Sequence, residues 1–97
     1  MGGGMSGEVS LAKRPRLARQ ARLVWDPVRE RHVLLAPEGV LLLNDTGAAI
    51  VGLCDGNRTI AEIIEELHRR YNRVVAEEVQ HFVARLVAKR WMEIGNA

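Results

Sequence analysis

The chain has 97 residues, 47% of them hydrophobic and 27% charged, and a formal net charge of +2. That length fills one compact domain burying roughly 60–65% of its unfolded surface, which excludes a second domain. No apolar run approaches the roughly 20 residues that cross a bilayer, which excludes an integral helical membrane protein. The opening MGGGMSGEVSLAKRPR lacks the apolar core of a signal peptide, so a small cytoplasmic protein is expected.

The single cysteine, Cys54, has no partner for an internal disulfide. It sits in an apolar stretch with no His or Cys near it in sequence, so it reads as a small buried hydrophobe rather than a reactive thiol. Charge is uneven: residues 1–32 hold Lys13, Arg14, Arg16, Arg19, Arg22, Arg29 and Arg31 against Glu8, Asp26 and Glu30, a net of +4, and the remainder nets −2. These cations form no dense block and read first as a solvated tail and strand, with an acidic partner as the functional alternative. Residues 1–16, glycine-rich at the start, are expected to be a flexible tail and residues 17–94 the folded domain.

In chain order, LARQARLVWDPVRERHVLLAP alternates apolar and charged positions around an Asp-Pro turn signal, which predicts a hairpin with arms near 17–25 and 31–36. The PEG at 37–39 predicts another turn, and VLLL at 40–43 a third strand of an antiparallel sheet. Helices follow. Asn44 as N-cap and Gly56 as the stop bracket a short helix over about 46–55. Thr59 and Glu62 match a capping box, after which Ile60, Ile63, Ile64, Leu67 and Tyr71 recur on one face of a second helix. A third helix, about 76–91, has Glu77 and Glu78 in its first turn and Lys89 and Arg90 in its last, both suited to the helix dipole. Its core stripe is Val79, Phe82, Val83 and Leu86, while Gln80, Ala84, Val87 and Trp91 extend a weakly polar flank. Helix packing, a dimer or a ligand groove would each use that flank.

Three strands followed by three helices predict a small α+β domain with helices packed on one face of the sheet. The third strand stays at an edge, where an extended peptide can add as a further strand. An unpaired edge also leaves room for a homodimer in the absence of peptide. Catalytic signals are missing: His32, His68 and His81 share no short metal-ligand spacing, and there is no nucleophile elbow, phosphate loop or cysteine pair. The chain therefore reads as a non-enzyme without a metal site. A small winged-helix DNA-binding protein is the alternative function, supported by KRPRLARQAR and opposed by Glu62, Glu65 and Glu66 on the middle helix.

The segment VLLAPEGVLLLNDTGAAIVGLCDGNRTIAEIIEEL (33–67), with the later KRWMEI, resembles the PqqD family of pyrroloquinoline quinone biosynthesis. The joined motifs LLxPEG, LLN and LCDG carry the likeness, which runs over about 17–94; the family often has an aromatic residue where this chain has Ala36. The resemblance implies a winged-helix-like module, a three-stranded antiparallel sheet followed by three helices, that serves as a stand-alone recognition element for ribosomal peptide maturation. It would bind the precursor peptide PqqA and present it to PqqE, a radical S-adenosylmethionine enzyme that crosslinks a glutamate to a tyrosine in that peptide. Iron–sulfur clusters and S-adenosylmethionine belong to that enzyme, so no cofactor is expected in this chain. The resemblance also implies that the peptide lies between the third strand and the third helix. This points to Val40, Leu41, Leu42 and Leu43 on one side and to Gln80, Val83, Ala84 and Val87 on the other. The basic hairpin, with Arg19, Arg22, Arg29 and Arg31, is the expected contact for the partner enzyme, while Arg85 and Lys89 read as solvated.

Overall fold

The structure is a computed structural model and describes residues 9–71 and 76–95. A three-stranded antiparallel meander is formed by β2 (Arg22–Asp26), β3 (Arg31–Ala36) and β4 (Gly39–Leu42), and it precedes three helices, as the α+β reading expects. A further strand on each side of this unit, β1 (Arg14–Leu17) and β5 (Met92–Gly95), pairs antiparallel from Arg14 opposite Gly95 to Leu17 opposite Met92. The helices are α1 (Asp45–Leu53), α2 (Ile60–Arg70) and α3 (Ala76–Ala88).

Turn chemistry sets the meander. Asp26 Oδ1 accepts from the backbone N–H groups of Val28 and Arg29 at 3.0 and 3.3 Å, the local bonding that lets Asp open a turn. Pro37 and Glu38 make the second turn, closed by the pair Ala36 and Gly39. Gly39 has φ of 154°, a backbone region that essentially only glycine occupies. The first hairpin arm is shorter than the expected 17–25, because Leu17 is committed to β1 and Ala18 to Ala21 form a connecting turn.

Two expectations about chain ends are corrected. Residues 14–16, read as tail, are strand, and the segment from Val9 to Lys13 packs on the helices; the remaining tail, residues 1–8, lies outside the described residues. The third helix stops at Ala88 rather than near residue 91. There Arg90 takes φ of 67°, its N–H bonds to Val87 O, and Trp91 N–H bonds to Leu86 O, the pattern of a Schellman cap with arginine in the usual glycine place. This reversal turns the Trp91 side chain into the core and lets β5 begin at Met92.

The helices form as their caps dictate. Asn44 Oδ1 accepts from Gly47 N–H at 2.7 Å and starts α1. That helix ends at Leu53, before the predicted stop, because the following backbone goes to β1: Gly56 N–H bonds to Pro15 O and Asp55 bridges Arg16. On α2 the capping box is complete, with Glu62 N–H to Thr59 Oγ1 at 3.1 Å and Thr59 N–H to Glu62 Oε1 at 2.8 Å. The next donors, Ile60 and Ala61, bond to the carbonyls of Lys13 and Leu11, so the N-terminal segment finishes the cap. Ile60, Ile63, Ile64 and Leu67 are buried as their spacing predicts, and with Leu34, Val83 and Leu86 they form the centre of the core.

The Thr59 N–H bond, chiefly, holds the Glu62 carboxyl below the ordinary glutamate value. Its contribution is therefore full at neutral pH and is lost as pH falls through and below about 4.3. Replacing Thr59 by Ala is expected to cost about 1 kcal/mol at pH 7, lowering the thermal midpoint by roughly 5 °C. Thermal unfolding followed by circular dichroism checks this, and an unchanged midpoint would show that the capping box carries no stability.

Candidate functional site

β4 lies at the edge of its sheet, and the hydrogen-bond phase of the ladder decides what it offers there. Leu43 N–H bonds to His32 O at 3.0 Å. Bonded and non-bonded pairs alternate along an antiparallel ladder, so the bonded pairs are Leu34 with Leu41 and Ala36 with Gly39, in the observed register. Val40 and Leu42 fall at the non-bonded positions. Their N–H and C=O groups point away from β3, and the two residues are 60% and 44% exposed.

Beside this edge runs a groove of about 380 Å³ lined by Leu41, Leu42, Leu43, Gly47, Ile50, Val79, Phe82 and Arg85, with Asn44, Thr46 and Glu78 at its polar margins. Its volume does not single it out: a second hollow, lined by His32, Asp45, Ala48, Arg70 and Tyr71 among others, measures about 390 Å³. The distinction is chemical, since only the first combines an apolar floor with the free groups of an edge strand. Gly47 deepens that floor. A Cβ there would lie 3.1 Å from Asn44 Oδ1 and 3.5 Å from Phe82 Cζ, so glycine leaves room for the ring and the cap together.

Of the four strand residues expected at the site, Leu41, Leu42 and Leu43 line the groove, with Leu43 itself buried as core, and Val40 lies on the same edge strand just beyond it. The expected helix residues do not line it. At about 100° per residue, Glu78, Phe82 and Arg85 cluster on one side of the buried stripe Val79, Val83 and Leu86, and Gln80, Ala84 and Val87 on the other. The first flank faces β4. On the second, Gln80 Nε2 donates to Val9 O at 2.8 Å, so the N-terminal segment lies against it. Val83 is fully buried. Phe82 was readable as core from its spacing; what sequence lacked was any signal of which flank the sheet would take.

The four arginines expected to meet an enzyme do not form one cluster. Arg22 and Arg31 are exposed at opposite ends of the meander, four strand positions or about 13 Å apart. Arg29 is occupied by Asp26, with Nη1 2.7 Å from Oδ2, and Arg31 Nε donates to Leu43 O at 3.2 Å. Arg19 sits in the exposed turn before β2. The histidines are dispersed: His32 meets Trp25 edge-to-face at 5.0 Å, and His68 and His81 lie at exposed helix positions. Among the described residues no group of three or more His, Cys, Asp or Glu side chains is placed to hold a metal ion. No helix among them is long and apolar enough to cross a membrane.

With that geometry in place, comparison with known proteins becomes specific. The sequence profile of the family described as Coenzyme PQQ synthesis protein D (PqqD) matches residues 31–92, which contain β3, β4, the groove and all three helices. The chain belongs to the PqqD family. It is 39% identical over 89 residues to the PqqA binding protein of Azotobacter vinelandii, covering 90% of this chain and 97% of that one. With the PqqA binding protein of Rhodopseudomonas palustris it shares 45% identity over 78 residues, covering 80% and 76%. Among solved structures it is similar to the PqqD truncation of Methylobacterium extorquens PqqCD, described as a functional, stand-alone RiPP recognition element. The TM-score is 0.75 at 36% identity, covering 92% of this chain and 99% of that one. The heterocyclase TruD shares the fold over 86% of this chain, at 20% identity and a TM-score of 0.62.

Cys54 plays no part in the groove. It is buried, and burial above all, then the neighbouring Asp55, pushes its thiol up to about 12. Iodoacetamide at pH 8 is expected to alkylate the native protein roughly 100-fold more slowly than the urea-unfolded chain, where the thiol regains its ordinary acidity. Equal rates, followed by mass spectrometry, would show an accessible thiolate in the native fold.

Proposed function

We propose that the protein is a carrier that binds the precursor peptide PqqA as an added strand along β4 and presents it to the radical S-adenosylmethionine enzyme PqqE. The observation that carries the binding step is the outward phase of Val40 and Leu42, two residues whose four backbone groups match the spacing of an antiparallel or parallel partner strand. Family membership supports the choice of peptide, since the relatives are named for binding PqqA.

In this reading the backbone of β4 sets the register of the peptide. Side chains on one face of the added strand enter the groove against Ile50, Val79 and Phe82, and those on the other face lie beside Val40 and Leu42. Arg85 and Glu78 stand at the mouth and favour peptides whose charges complement that pair. The role is binding and delivery: a carrier that holds substrate and enzyme together raises the local concentration of one at the other. β2 is also an edge strand, but the apolar groove adjoins β4.

Leu42→Pro tests the edge selectively. The Leu42 N–H is not spent on β3, so proline removes a donor for the peptide while leaving the existing ladder intact. Titration calorimetry with synthetic PqqA is expected to give one-to-one binding that weakens about tenfold or more in Leu42→Pro and in Phe82→Asp. Val87→Asp, on the flank away from the groove, should change affinity little. Equal loss in Val87→Asp, or binding of duplex DNA in place of the peptide, would overturn the assignment.

A further inference from the structure

The other face of the meander has a composition that the core does not explain. Antiparallel sheets that expose one face to water ordinarily carry polar residues there. Here Leu23, Leu34, Ala36, Leu41 and Leu43 face the helices and join the core or pack on it. The alternate positions hold Val24, Val33, Leu35, Val40 and Leu42, and none of these joins the main core cluster beneath the helices, although Val33 is itself buried. The register sets Val24, Val33 and Leu42 in one cross-strand row and Leu35 beside Val40 in the next, a continuous aliphatic surface. Exposure rises across it toward β4: Val33 is buried, Val24 and Leu35 are half-buried, and Val40 and Leu42 are exposed.

Two cations share this face. Arg22 stands in the row of Leu35 and Val40, and Arg31 in the next row beyond Val24, Val33 and Leu42. Neither makes an ion pair among the described residues, whereas Asp26, the one carboxylate of the face, is already held by Arg29. Glu30 and Glu38 belong to the turns at the ends of the strands. The unmatched charge of the patch is therefore positive.

We propose that this face is a docking surface for a protein partner presenting aliphatic side chains flanked by carboxylates, and that a peptide bound along β4 becomes part of that surface. This rests on the strand-addition reading above. A strand added beside Val40 and Leu42 places every second side chain on the same face as theirs, next to the patch and in reach of whatever covers it. The partner then touches carrier and peptide together, and each ligand strengthens the binding of the other by the same factor. Presentation follows from geometry: the partner meets the peptide only at the edge where the carrier holds it.

PqqE is the probe. Its binding to the carrier is measured by calorimetry with and without PqqA, for the natural protein and for Val24→Glu and Arg22→Glu, two residues that do not line the groove. The expected result is that PqqA raises PqqE affinity about fivefold or more, and that each variant weakens PqqE binding about tenfold or more while its affinity for PqqA stays within about twofold. Arg22 is exposed, so Arg22→Glu keeps its fold and decides the matter if Val24→Glu does not. Variants that bind PqqE as the natural protein does would overturn the proposal, as would PqqE binding indifferent to PqqA. A dimer abolished by Val24→Glu with PqqE binding intact would assign the face to a second copy and overturn it too. Failure of the strand-addition reading shows separately, as PqqA binding that Leu42→Pro leaves untouched.

Discussion

An edge strand in an antiparallel sheet can satisfy only half of its backbone groups, and in this protein the other half falls on Val40 and Leu42. Among the described residues, the elements that could have covered them are engaged elsewhere. After Leu42 the chain turns into α1 rather than into a further strand, β1 pairs with β5 in a separate sheet, and the helices pack on the inner face through Leu34 and Leu43. Such an edge is ordinarily a liability that proteins blunt. Here its neighbours are aliphatic, and an apolar groove runs along it, which suits capture of an extended chain rather than avoidance of one.

The wall of the groove depends on contacts far from it. The orientation of α3 is fixed by its buried stripe of Val79, Val83 and Leu86, by the cap at Arg90 that folds Trp91 inward, and by the N-terminal segment held through Gln80. That segment also bonds the first free donors of α2, so one stretch of irregular chain secures two helices. Salt bridges contribute little to this arrangement. The five among the described residues join partly or largely exposed side chains, a class worth at most about 1 kcal/mol each. Packing and backbone accounting hold the fold.

How legible each part was depends on where its information resides. The meander and the starts of α1 and α2 are written locally, in Asp26-Pro27, Pro37-Glu38-Gly39, Asn44 and the Thr59–Glu62 box, and they were readable. β1 and β5 were not: each is four residues long, and their pairing joins positions such as Arg16 and Glu93 that no local pattern links. The strand half of the groove was readable because VLLL is short, aliphatic and bounded by a turn. Its helix half was ambiguous, because α3 is apolar across its core stripe and both flanks, and only the tertiary contact of Gln80 with Val9 shows which flank is taken. Trp91, counted on a flank from its periodicity, belongs instead to the core, because the backbone reverses one residue before it.

The central claim is that Val40 and Leu42 hold their backbone groups ready for a partner strand. Residue-resolved amide exchange by NMR tests it directly. In the free protein the Leu41 and Leu43 amides, bonded to β3, should exchange slowly and those of Val40 and Leu42 fast. With PqqA added, the account predicts that exchange at Val40 and Leu42 slows about tenfold or more. Peptide binding that leaves both amides as fast as before would contradict it.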